Sequence, residues 1–295
     1  MPQSVDELTR LFDLEELEIG LYRGRQPETG LQRAFGGQVL AQALLACTRT
    51  VTPIAGGTGE DRVPHSLHAY FILPGSTDAP ILYDVQNIRD GGSFSFRRVE
   101  ARQHGKVIFY LTLSCQRPEP GFDHADTEPI GVPAPQDCPP LSEMMETLSG
   151  RPAADWEREW GALEVRYAGD SRPGGRLVDP EHPARAQVWV RTAERLPDDP
   201  ALHRAVVAYA SDLTLLGVST VPHGVVIGSR RLQAASIDHA MWFHRDIRAD
   251  EWILYDQVSP SASGARGLST GRLFSDGVLG VDVAQEGLIR PVERR

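Results

Sequence analysis

Apolar positions along this chain follow two rhythms, and the order of those rhythms occurs twice. In the first half, Gly36-Gly37-Gln38-Val39-Leu40-Ala41-Gln42-Ala43-Leu44-Leu45 reads as an amphipathic, mostly apolar helix. Strand-like runs follow at His68 to Leu73, Ile81 to Ile88 and Lys106 to Gln116. In the second half, the helical rhythm spans Pro200 to Ala210, with Asp198 and Asp199 ahead as N-cap candidates and Pro200 in the favoured first turn. Ser236 to Phe243, Trp252 to Val258 and Gly277 to Ile289 take the strand places. Gln103-His104-Gly105 and Ser275-Asp276-Gly277 predict hairpin turns, where glycine takes a positive φ without steric cost.

The repetition has a definite offset. Ile81-Leu82-Tyr83-Asp84 recurs as Ile253-Leu254-Tyr255-Asp256, 172 positions later. Held without a gap, that offset pairs Phe71 with Phe243, Tyr70 with Trp242, Gly92 with Gly264 and Gly105 with Gly277. One long apolar helix before a run of antiparallel strands predicts a sheet wrapped around that helix. Two copies then form an α+β layer architecture with their sheets side by side. The expected division is a first unit over residues 1–118, a linker over 119–160 and a second unit over 161–295. Proline and acidic residues crowd the linker, as in Pro129-Ile130-Gly131-Val132-Pro133-Ala134-Pro135, which predicts an extended segment on the surface.

Composition narrows the function classes. A chain of 295 residues with 41% apolar and 24% charged residues buries a substantial core. Its formal charge of −10 argues against nucleic acid or an anionic membrane as partner. A polyanionic substrate would then need local arginines to build a positive mouth. No run approaches the roughly 18 to 20 uninterrupted apolar residues of a membrane span. The acidic start, Met1 to Glu7, lacks a basic region and an apolar run, and Pro291 to Arg295 is not a peroxisomal address of the Ser-Lys-Leu type. The cytoplasm is the expected location. Cys47, Cys115 and Cys138 show no metal-ligand spacing, and Cys47 and Cys115 stand in apolar contexts as small buried hydrophobes. His65 and His68, and His239 and His244, lack the acidic or thiol neighbours of a metal site, so neither a metal nor a cofactor is expected.

Common catalytic signatures are missing: no G-x-S-x-G elbow, no P-loop and no G-x-G-x-x-G opening a helix. Polar residues set inside apolar segments are more informative. Asp212 lies between Val206-Val207-Ala208-Tyr209-Ala210-Ser211 and Leu213-Thr214-Leu215-Leu216, where a carboxylate must be a cap or a working group. Gln285 interrupts a central-looking strand, and Ser236 opens another. Each alone reads more readily as a hydrogen-bonded structural residue. Together they offer a carboxylate, a hydroxyl and an amide, enough to hold and polarise one water molecule.

With Phe35-Gly36-Gly37-Gln38-Val39, Pro64-His65-Ser66-Leu67-His68-Ala69-Tyr70-Phe71, Tyr209-Ala210-Ser211-Asp212-Leu213, Ser236-Ile237-Asp238-His239-Ala240-Met241-Trp242-Phe243-His244 and Gln285-Glu286-Gly287, the sequence resembles the type II acyl-CoA thioesterases. The resemblance runs from about Leu8 to Arg290. It implies a double hotdog, hydrolysis of acyl-CoA to free acid and coenzyme A, no cofactor, and a homo-oligomer. It also implies that Asp212, Ser236 and Gln285 are catalytic. Bacterial members carry threonine at the Ser236 position, so the hydroxyl is retained here with altered packing. The repeat sets Leu40 opposite Asp212, which implies one site per fused pair. The Gly36-Gly37 turn is a candidate oxyanion donor, and Arg266 a candidate contact for the CoA phosphates. Two other readings stay open at this point. Hotdog hydratases pair an aspartate with a nearby histidine on the helix, whereas no histidine follows Asp212 until His223. A non-catalytic acyl-CoA-binding module would tolerate loss of the polar trio, yet all three are present.

Overall fold

The computed structural model describes residues 1–51, 62–177 and 182–292. In the first half, α1 (Val5–Phe12), β1 (Glu15–Glu18) and β2 (Leu21–Gly24) precede α2 (Gly36–Arg49). Four strands follow: β3 (Val63–Phe71), β4 (Ile81–Asp90), β5 (Phe94–Gln103) and β6 (Lys106–Gln116). A connecting segment holds α3 (Leu141–Ser149) and α4 (Ala153–Trp160). The second half comprises β7 (Leu163–Asp170), β8 (Arg185–Thr192), α5 (Pro200–Ser211), α6 (Leu215–Val218), β9 (Leu232–Ser236), β10 (Asp238–Phe243), β11 (Ile253–Ser263), β12 (Arg266–Ser275) and β13 (Val278–Pro291).

All the strands belong to one antiparallel sheet in the order β1-β2-β4-β5-β6-β3-β10-β13-β12-β11-β8-β7, with β9 also on β13. The repeat is written into its registers. Leu82 pairs with Arg102 and Leu254 with Phe274; Ala69 pairs with Leu111 and Met241 with Val283. Each second pair lies 172 positions beyond the first. The halves meet at β3 and β10, where His68 pairs with Ala240, two residues that are themselves 172 apart. An antiparallel seam with that register places a local two-fold between the halves. Both predicted hairpin turns have paired positive φ values, at His104 and Gly105 and again at Asp276 and Gly277. Each half is thus a sheet curled over a helical layer, and the whole is a double hotdog.

One irregularity recurs with the repeat. Pro64 pairs with Cys115 but Ser66 with Ser114, so β3 carries an extra residue at His65. Ser236 pairs with Gly287 and Ala240 with Ala284, so the second half carries its extra residue at the equivalent Ile237, between β9 and β10. Such a bulge shifts which face successive side chains point to. Strict alternation would send Ser236 to the face opposite His239; the bulge returns it to the inner face.

Leu40, Leu44, Leu67, Leu111, Met241 and Tyr255 lie in the shared core beneath the sheet. The helices approach so closely at Gly37 that a Cβ there would clash with the Tyr209 carbonyl oxygen. Gly37 and Tyr209 are again 172 apart. In that register α2 corresponds to residues 208–221, so its counterpart is the end of α5 with α6, about two turns later than the helical rhythm suggested. The broken helical run Pro200–His223 is, among the described residues, long and apolar enough to cross a membrane by length and composition, but most of it is buried inside the fold. The connecting segment departs from the extended chain expected from its composition. Its second part is helical, and Trp160 packs edge-on against Phe35, 4.9 Å between ring centroids. Apolar surface on Trp156 and Trp160 outweighs the proline content there.

Candidate active site

The helical run breaks at Asp212, which caps the C-terminal end of α5 with φ −84° and ψ −6°. A carboxylate at a helix C-terminus opposes the helix dipole and needs donors from elsewhere. They come from three elements. Gln285 Nε2, on β13, donates to Asp212 Oδ1 at 2.5 Å, and Ser236 Oγ, at the end of β9, approaches the same oxygen at 3.4 Å. The third donor is the backbone N–H of Gly37, in the first turn of α2, where no intrahelical acceptor exists. A side chain at Gly36 would exclude this meeting, because its Cβ would lie 2.5 Å from Asp212 Oδ2.

Burial is the largest influence on Asp212, whose side chain is only 4% exposed, and it pushes the carboxyl up to about 6 against the pull of Gln285, Gly37 and Ser236. The three side chains singled out in the sequence therefore meet at one carboxylate oxygen. Sequence reasoning missed two more members, His239 and its partner Ser211. His239 on β10 is wholly buried, with Nδ1 3.1 Å from Gln285 Nε2 and Nε2 2.9 Å from Ser211 Oγ. Burial lowers His239 to about 3, so the ring is neutral. The signal lay in Ser236-Ile237-Asp238-His239, but only the bulge puts its first and last residues on one face.

A cavity of about 290 Å³ opens beside Ser236, lined by Gly36, Val39, Phe71, Phe109 and Ala235, with Arg33 also on its wall. Its walls come from both halves. Arg266 does not line it; that side chain pairs with Glu286 at 3.0 Å. At the positions equivalent to Asp212, Ser236, His239 and Gln285 stand Leu40, Pro64, Leu67 and Leu113, none able to carry acid–base chemistry. Cys47 and Cys115 are buried, with both thiols raised above their ordinary range by burial. Among the described residues no group of three or more His, Cys, Asp or Glu side chains converges as a metal site.

A carboxylate poised near neutrality beside a cavity can activate water, and relatives of the chain say toward which substrate. Residues 164–288 match the family model described as acyl-CoA thioesterase, and residues 24–116 match the acyl-CoA thioesterase N-terminal domain. The acyl-CoA thioesterase 2 of Haemophilus influenzae is 36% identical, over 98% of this chain and 99% of its own. The chain belongs to the acyl-CoA thioesterase family. An acyl-CoA thioesterase II from Mycobacterium marinum is similar in structure, with a TM-score of 0.79 and 41% identity over 97% of this chain and 99% of its own. A hot dog fold protein from Alicyclobacillus acidocaldarius, 18% identical with a TM-score of 0.75 over 97% of this chain and 98% of its own, shares the fold. As a member of this family the thioesterase takes an acyl-CoA and hydrolyses it to a carboxylic acid and coenzyme A.

Proposed function

We propose that Asp212, Ser236 and Gln285 carry out the hydrolysis with a bound water as nucleophile and no acyl-enzyme. The observation that carries this reading is the meeting of Gln285 Nε2 and Ser236 Oγ on the buried Asp212 carboxylate beside the cavity. Asp212 accepts a proton as the water oxygen attacks the thioester carbonyl, while the hydroxyl and amide orient that water. Negative charge gathers on the carbonyl oxygen of the tetrahedral intermediate. The first turn of α2 offers backbone N–H groups there, and Gly36 lets the substrate approach closely. Collapse breaks the C–S bond, and the proton held by Asp212 passes to the departing CoA sulfur. Both products then carry the atoms of one water.

Thiol release from an acyl-CoA tests this directly. Asp212→Asn should lower turnover by about 10² to 10⁴ with little change in substrate binding. Wild-type kcat/KM should fall as pH drops through about 6, where Asp212 takes up its proton. Covalent capture of an acyl group on the protein, or an Asn variant that keeps most of the rate, would overturn the reading.

Two finer readings belong with it. Arg33, which lines the cavity and has no carboxylate partner among the described residues, is the candidate contact for the anionic CoA moiety in a chain of charge −10. The chain is also proposed to form a homo-oligomer. The outer face around the β3–β10 seam exposes Tyr70 and Trp242, flanked by Phe96 and Leu268, and a second copy would cover this apolar surface. Scattering at known concentration reads that mass.

A further inference from the structure

The amide of Gln285 can face Asp212 in two ways, and only one helps. With Nε2 toward the carboxylate it donates; rotated by half a turn, its oxygen would stand against a charged oxygen. The observed orientation leaves Gln285 Oε1 buried without a partner among the described residues, and a buried acceptor left unpaired is destabilising. Something must hold the amide against that cost. Gln285 Nε2 lies within reach of three acceptors: Asp212 Oδ1, Ser236 Oγ and His239 Nδ1. Two are oxygens of groups assigned to the chemistry, whereas the histidine ring is wholly buried and anchored from behind.

The anchor determines which ring nitrogen carries hydrogen. Ser211 Oγ donates to the Ala208 carbonyl at 2.9 Å, so its proton is committed inside α5 and its oxygen accepts from His239 Nε2–H. Nδ1 is then a bare acceptor aimed at Gln285, and a hydrogen there would oppose the amide N–H. The backbone of Ser211 is itself held, because Tyr255 Oη donates to its carbonyl at 3.0 Å. Ser211 immediately precedes Asp212, so one turn of chain positions both the base and the tautomer. We propose that His239, with its tautomer set by Ser211, is a positioning residue that locks the Gln285 amide with its N–H toward Asp212. The first half shows the contrast: Leu67 and Leu113 replace His239 and Gln285, so the positioning pair is absent together with the carboxylate.

This inference rests on the reading of Asp212 and Gln285 given above, and kinetics separates the two. Thiol release is measured for wild type, His239→Phe, His239→Asn and Ser211→Ala, each alone and combined with Gln285→Ala. His239→Phe should lower kcat about tenfold or more with KM within about twofold. It should also move the acid limb of kcat/KM to higher pH, because a disordered amide no longer favours the charged carboxylate. The titratable groups facing Asp212 from the surrounding elements are His239 and Tyr255; burial keeps the first neutral and raises the second well above its ordinary range, so Asp212 owns that limb. His239→Asn keeps an acceptor near the place of Nδ1 and should recover most of the rate. In the Gln285→Ala background, His239→Phe and Ser211→Ala should each cost no more than about twofold, since nothing remains to orient. Undiminished costs in that background, or an acid limb that stays in place while kcat falls, would refute the proposal. If His239→Phe fails to fold, Ser211→Ala leaves the ring in the core and decides the same comparison. A fully active Asp212→Asn would instead sink the catalytic reading itself; an inactive one beside independent His239 and Gln285 effects sinks only the present inference.

Discussion

Asp212→Asn should stabilise the protein at neutral pH while slowing its chemistry, and the size of the gain should depend on pH. In the folded chain the Asp212 carboxyl is pushed up to about 6, against an ordinary value of 3.8, chiefly by burial. The native state therefore binds that proton more tightly than the unfolded chain, by about 3 kcal/mol. Because the folded value is the raised one, the associated stabilisation is fully present below about pH 3.8 and is lost as pH rises through about 6. Asparagine has no proton to lose. Relative to the variant, wild type should thus weaken by about 3 kcal/mol across the whole window, with roughly half of that falling between pH 5 and 8. A constant offset of about 1 kcal/mol accompanies this, because the second amide group no longer accepts from a donor such as the Gly37 N–H. Urea unfolding of both proteins at several pH values reads the difference, and other titrating groups cancel in the comparison. A stability gap that stays flat from pH 5 to 8 would mean that Asp212 is ionised without penalty and that burial does not tune it.

Other expectations follow from the same geometry. Gly36→Ala should cost about tenfold or more in kcat, because its Cβ would fall 2.5 Å from Asp212 Oδ2, and thiol-release kinetics on folded protein measures it. Cys47→Ala and Cys115→Ala should leave kcat within about threefold while lowering stability by roughly 1 to 2 kcal/mol, since both thiols are buried and neutral; loss of turnover in a folded variant would contradict a water nucleophile. Arg33→Ala should raise KM for acyl-CoA several-fold with kcat little changed, and the effect should shrink as salt is added.

The structure assigns to particular residues what neither rhythm nor motif could. Ser236 and His239 lie three positions apart, which on a regular strand sends their side chains to opposite faces. They share a face because one strand carries an extra residue at Ile237 where its partner has none. A bulge is a property of two paired strands and leaves little mark on either alone. For that reason the sequence alone gives His239 no place at the site. The charge of Arg266 makes it a candidate in the sequence, but Glu286 on the neighbouring strand matches that charge. The prolines of the connecting segment predict an extended chain, whereas Trp160 gains more by packing on Phe35 at the end of a helix.

By itself the sequence determined the repeat, and with it much of the architecture. An ungapped offset of 172 already contained the paired registers, the matching hairpin turns and the seam, because side-chain alternation has a period of two and a register slip would expose the whole apolar face. It also contained the asymmetry of the halves, since leucine at positions 40, 67 and 113 cannot do what Asp212, His239 and Gln285 can. Only the tertiary structure decided how polar residues from α5, β9, β10 and β13 meet the first turn of α2. A carboxylate's environment depends on distance, burial and the direction of each donor. None of these exists until the helices cross at Gly37 and the sheet closes over them.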